Sequence, residues 1–135
     1  KDPYELGRRK TLNFGHTLGH AIESYCLDHR PENFMKHGEA VGIGMILALY
    51  LSHITQGLPK TKLLHFSEQL KRLLPEFRFD KTAQEQIISY LIHDKKNAHG
   101  RINFVLLKDI SNYVIDCQVT NAQIFEAFNF WQAQR

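Results

Sequence analysis

The chain has 135 residues, 43% of them hydrophobic and 23% charged, and seventeen Lys and Arg against fourteen Asp and Glu leave a net charge of +3. That is the length of one domain or one piece of a larger chain, with enough apolar material for a core, which excludes a disordered segment. No basic tract suits a phosphate backbone, and the longest nearly apolar run, Ala40 to Leu51, is short of the roughly 20 residues of a transmembrane helix, so neither nucleic acid nor a membrane is expected as a partner.

The first dozen residues carry six charges, start at Lys1 without a methionine, signal region or targeting signature, and read as a connector; a piece of a longer protein is expected. From Phe14 to about His29, Leu18, Ala21, Ile22, Tyr25 and Cys26 recur at three- and four-residue steps and predict a helix. Arg30 to Asn33 interrupt it. A second helix is expected from about Gly38 to Thr55, apolar almost all round and therefore central, ended by Gly57 and Pro59. Gly38, Gly42 and Gly44, with Ala40, offer small positions where another backbone can approach. Leu63, Phe66, Leu70, Leu73 and Leu74 mark a third helix stopped by Pro75. Thr82 with Glu85 three residues on has the form of a capping box and predicts the start of a fourth, whose buried stripe is Ile87, Ile88, Leu91 and Ile92. The period then changes: Arg101 to Leu107 and Tyr113 to Val119 are β-branched and aromatic runs, a hairpin turning across Lys108 to Asn112. A last helix is expected from Thr120, with Gln123 three residues on and Ile124, Phe128 and Trp131 inward. The expected architecture is mainly α, a helical bundle with a small β-hairpin.

Cys26 and Cys117 lie 91 positions apart and form no CxxC, so they read as reduced, core-type residues of a cytoplasmic protein. Eight histidines are the unusual feature of the composition. His16 and His20 are four apart and project from one helix face, a spacing at which two imidazoles can chelate a transition metal, or which can arise by chance. The glutamate that HExxH metalloproteases carry beside the first His is missing. His37 opens the most apolar helix, where a cap or a metal would satisfy its polar ring. Arg9 and Asn13 stand near the entrance of the first helix, where free N–H groups favour anions. Lys95 and Lys96, after Asp94, either complement the dipole at the end of the fourth helix or reach into an anion pocket. His29, His53, His65, His93 and His99 have no partner spacing and read as surface or capping residues.

Four blocks in order resemble the C-terminal, helical domain of 3-dehydroquinate synthase, within the sugar-phosphate cyclase superfamily. They are Asp2-Pro3-x-Glu5-x-Gly7-x-Arg9, the string Leu12 to Glu23 (LNFGHTLGHAIE), His37 to Met45 (HGEAVGIGM), and Asp94-Lys95-Lys96 with a Gly and the strand Ile102 to Leu107. The resemblance implies an NAD- and metal-dependent carbon–oxygen lyase that converts 3-deoxy-arabino-heptulosonate 7-phosphate to 3-dehydroquinate and phosphate. That step belongs to the shikimate pathway, toward chorismate and the aromatic amino acids. The implied chemistry is transient oxidation of a ring hydroxyl, loss of phosphate, reduction, ring opening and an intramolecular aldol closure, with the departing phosphate able to take the proton. Carried over by motif, the metal (zinc, or cobalt) takes His16 and His37, plus a Glu from an N-terminal NAD-binding domain that these 135 residues do not contain. His20 turns to the substrate phosphate, with Asn13 and one of Lys95 and Lys96, and Arg9 holds the carboxylate. Spacing alone leaves His16, His20 and His37 together as a candidate metal site; the resemblance takes His20 off the metal and is followed. The connection around Leu27 to Phe34 is longer than in the family. A homodimer is implied for the full-length enzyme, and residues 1–135 alone are expected to be inactive. The competing readings are a 2-deoxy-scyllo-inosose or 2-epi-5-epi-valiolone synthase type of cyclase, and a non-catalytic helical interaction module.

Overall fold

Five helices and one hairpin form in a computed structural model that describes residues 14–29, 35–94, 104–109 and 111–133. In chain order they are α1 (His16–His29), α2 (His37–Gln56), α3 (Lys60–Lys71), α4 (Lys81–Asp94), β1 (Phe104–Asp109), β2 (Asn112–Cys117) and α5 (Asn121–Ala133). Arg9, Asn13, Lys95 and Lys96 lie outside the described residues, as does the connection from 30 to 34.

Helix α2 is the axis of the fold. Ala40, Ile43, Ile46, Leu47, Ala48 and Leu51 are all buried, and α1, α3, α5 and β1 pack around it. A stripe on one side would not do this; the helix is apolar over most of its circumference because it has neighbours over most of its circumference. Its 20 residues are long and apolar enough to cross a membrane, a reading the run from Ala40 to Leu51 does not suggest, and 56% of the apolar window is buried inside the fold. Gly57 ends it in the left-handed region (φ 84°), and the Leu58 N–H returns to the Ser52 carbonyl.

Three boundaries or faces differ from the sequence reading. Helix α3 starts at Lys60 directly after Pro59, whose missing N–H is no loss in a first turn, and it ends at Lys71, so Leu73 and Leu74 lie beyond it. Helix α4 is capped by Asp80 and not by Thr82: the Asp80 carboxylate accepts from the Ala83 N–H at 2.8 Å, and its carbonyl accepts from Gln84 N–H. The buried stripe of α4 is Ala83, Ile87, Ile88 and Leu91, and Ile92 faces out. The Thr120 box does form, with Thr120 N–H donating to Gln123 Oε1 (2.8 Å) and Gln123 N–H to Thr120 Oγ1 (3.1 Å).

The hairpin is antiparallel, pairing Phe104 with Cys117, Leu106 with Val114 and Leu107 with Tyr113, with irregularities on both sides of the central pairs. Buried Ser52 fixes it to α2: its Oγ donates to the Ala48 carbonyl (2.7 Å) and accepts from the Leu107 N–H (2.9 Å). Helix α5 closes the core with Ile124, Phe128 and Trp131, and the Trp131 indole N–H donates to the Phe77 carbonyl (2.7 Å), holding the segment before α4. Cys26 and Cys117 are both buried thiols.

Candidate metal centre

The site is assembled by the crossing of α1 and α2. Gly15 caps α1 with φ 80°, a backbone state costly for any residue with a Cβ, and its carbonyl accepts the first helical bond from Gly19 (2.8 Å). A Cβ on Gly19 would stand 2.8 Å from the Val41 Cα; one on Gly44 would stand 2.6 Å from the Gly19 N and nearer still to the Gly15 carbonyl oxygen. The two backbones therefore touch at Gly15, Gly19 and Gly44. Of the other glycines expected at close approaches, Gly42 receives the Leu74 side chain, and Gly38 meets nothing within 4 Å.

That contact brings two helix N-termini together, and each begins with a histidine. The His16 and His37 rings lie 5.9 Å apart between centroids, inclined at 68°. Two imidazoles ligating one zinc through nitrogens at about 2.0–2.1 Å have centroids roughly 5–6 Å apart, a range that includes the separation of the His16 and His37 rings. Two imidazole nitrogens are also a donor set that suits zinc or cobalt. His20 is exposed one turn beyond His16 on the same face of α1. The open cleft beside the pair has a volume of about 630 Å³ and is lined by His16, Lys36, His37, Met45, Leu73 and Leu74 among others. Leu73 is 79% exposed there.

The structure adds a residue that the sequence reading left without a role. Glu23 Oε1 lies 2.9 Å from His37 Nδ1. Glu23 is seven residues beyond His16 and three beyond His20, so all three stand on one face of α1, a spacing visible in the sequence. Its partner is not visible there, because His37 arrives on another helix. The cap expected of His37 belongs to Lys36 and Glu39: the Lys36 N–H donates to Glu39 Oε1 at 3.1 Å. Of the remaining histidines, His53 Nδ1 donates to the Leu58 carbonyl (2.7 Å) at the end of α2, and His29 stacks on Tyr25.

Known proteins resemble the chain over most of its length. Residues 1–97 match the family model described as 3-dehydroquinate synthase C-terminal. The 3-dehydroquinate synthase of Parabacteroides distasonis is 43% identical over 133 residues, which are 98% of this chain and 37% of that protein. The enzyme of the same name from Clostridium tetani is 39% identical, over 93% of this chain and 32% of its own length. The chain thus spans about a third of the length of these relatives. Among solved structures, a 2-epi-5-epi-valiolone synthase from Streptomyces hygroscopicus subsp. jinggangensis, with NAD+ and Zn2+ bound, superposes with a TM-score of 0.72 at 25% identity, covering 91% of this chain and 33% of that one. A 2-deoxy-scyllo-inosose synthase complexed with carbaglucose-6-phosphate, NAD+ and Co2+ shares the fold with a TM-score of 0.70 at 24% identity, over 96% of this chain and 36% of that one.

Proposed function

This chain belongs to the 3-dehydroquinate synthase family through its C-terminal domain, and from that premise we propose that the protein carrying it converts 3-deoxy-arabino-heptulosonate 7-phosphate to 3-dehydroquinate and phosphate. The observation that carries the reading is the 5.9 Å approach of His16 and His37 at the mouth of a cleft. His16 and His37 hold the metal. When bound, zinc or cobalt supplies Lewis acidity at the oxygen being oxidised, and NAD supplies the hydride exchange.

The chain's own residues do the holding. His20 binds the substrate phosphate with Asn13 and one of Lys95 and Lys96, and the N–H groups at the start of α1 favour the same anion. Arg9 clamps the carboxylate. Fixing both anionic ends leaves the ring between them one orientation, which removes much of the entropic part of the barrier. With the departing phosphate able to accept the proton, the site needs no separate strong base. The full-length enzyme is proposed to be a cytoplasmic homodimer; the two buried thiols suit a reducing compartment.

The test is to supply the full-length protein with the seven-carbon heptulosonate phosphate and follow phosphate release and dehydroquinate formation. His16→Ala and His37→Ala should each lower kcat/KM by roughly a thousandfold or more, the size expected for losing several kcal/mol of Lewis-acid stabilisation, and should abolish stoichiometric zinc. Zinc and activity that survive both substitutions would overturn the metal role of His16 and His37. No turnover of the heptulosonate, with turnover of another sugar phosphate, would move the assignment to a related cyclase, a reading favoured by the fold shared with the two solved synthases.

A further inference from the structure

Resting on the metal reading above, the geometry points to Glu23 as the positioning residue of the centre: its carboxylate fixes the ring of His37 and supplies the negative charge that lets two helix N-termini share a cation. An ionised carboxylate only accepts hydrogen bonds. The 2.9 Å contact therefore requires the proton of His37 on Nδ1. In a neutral imidazole that leaves the lone pair on Nε2, the nitrogen free to face His16 and the metal. Without Glu23 the ring could rotate or change tautomer, because the His37 side chain is 60% exposed and little packing restrains it; Glu23, at 20% exposure, is the better anchored of the two. Metal-bound histidines characteristically donate their other ring N–H to such a group, which orients the ring and raises its basicity.

Electrostatics argue the same way. His16 and His37 are the first residues of α1 and α2, so each helix directs its positive end at the site, and each end carries roughly half an elementary charge. That field favours a substrate anion and opposes a cation held by two neutral imidazoles. Glu23 is in direct contact with one of those ligands. Glu39, in the first turn of α2, is also close, yet its carboxylate is engaged by the Lys36 N–H and no hydrogen bond joins it to His37.

The difference between Glu23 and Glu39 provides the experiment. In the full-length protein, zinc affinity is measured by chelator competition and the cobalt-loaded protein by its visible ligand-field spectrum, with helical circular dichroism as the folding control. Glu23→Ala should weaken zinc by about ten- to a hundredfold and alter the cobalt bands. Glu23→Gln, which keeps an acceptor for Nδ1–H but loses the charge, should weaken zinc less and preserve more of the cobalt spectrum; it also carries the test should Glu23→Ala fail to fold. Glu39→Gln should stay within about twofold of the unsubstituted protein. Zinc affinity unchanged in the Glu23 variants, while His37→Ala loses the metal, overturns the role of Glu23 and leaves the metal site standing. Equal losses in Glu23→Gln and Glu39→Gln overturn it too, since general charge would then explain both. If His16→Ala and His37→Ala retain zinc, the metal site itself falls and this role with it.

Discussion

Tyr90 on α4 donates its phenol proton to Asp28 on α1, and its pKa rises to about 12, first because the hydrogen bond needs the proton, then through burial and the negative charge of Asp28. The folded pKa lies above the ordinary value near 10, so the contact contributes its full stability below about pH 10 and loses it as pH climbs through about 12. Tyr90→Phe should accordingly unfold earlier than the unsubstituted protein at neutral pH, and the gap in Tm should close above pH 10. Ultraviolet difference titration should lose one late-ionising phenol in that variant. A larger single-residue effect is expected deeper in the fold. Ser52→Ala leaves the Leu107 N–H facing a methyl group where it had a hydroxyl acceptor at 2.9 Å. An orphaned buried donor costs about 1–3 kcal/mol, which urea titration would read as a lower midpoint at unchanged slope. Neither pairing is legible in the sequence, because Asp28–Tyr90 and Ser52–Leu107 join residues far apart in the chain. What the sequence reading does find is local, as with Thr120 and Gln123, three residues apart and reciprocally bonded.

At the scale of elements, apolar patterning locates the five helices and the hairpin of the described residues: α2 is apolar almost all round because it is enclosed, and the others bury one face, which writes its period into the chain. Ends are less legible. Asp80 and Thr82 can both cap, and tertiary packing of Ala83 chooses between them. The glycines of α2 show the same limit. Their small size is plain in the sequence, but only the crossing reveals that Gly44 alone of the three meets backbone, while Gly42 meets a side chain and Gly38 meets open space. The consequence is opposite outcomes for one substitution. Gly44→Ala drives a methyl group into the Gly15 carbonyl and the Gly19 amide, which cannot swing aside as a side chain could. It should destabilise by at least about 1–3 kcal/mol and, by levering α1 from α2, reduce zinc affinity in the same variant. Gly38→Ala meets no obstacle and gains helix propensity, stabilising by up to about 1 kcal/mol. Thermal unfolding of the two variants side by side, with zinc binding measured on each, checks both signs.

For the molecule as a whole, the core and the metal centre have different requirements. The core runs without a break from Leu18 and Ile22 through Ile43, Ile46 and Leu47 to Phe128 and Trp131, all buried within the chain. The candidate centre has two imidazoles on an open cleft, whereas a catalytic zinc commonly takes three protein ligands and keeps a fourth position for water or substrate. The chain covers about a third of the length of its relatives, and under the proposed function the remaining ligand and the NAD site would lie in the rest of the protein. Folding and metal capture should therefore separate. Residues 1–135 expressed alone should unfold in one cooperative transition, bind zinc more than about a hundredfold more weakly than the full-length protein, a gap of about 2.7 kcal/mol or more, and release no phosphate from the heptulosonate substrate. Calorimetry, chelator competition and a phosphate assay on the two forms measure the three parts independently. Tight zinc binding by residues 1–135 alone would mean that His16 and His37 recruit a further ligand from within them, and Glu23, already against His37, would be the first to replace.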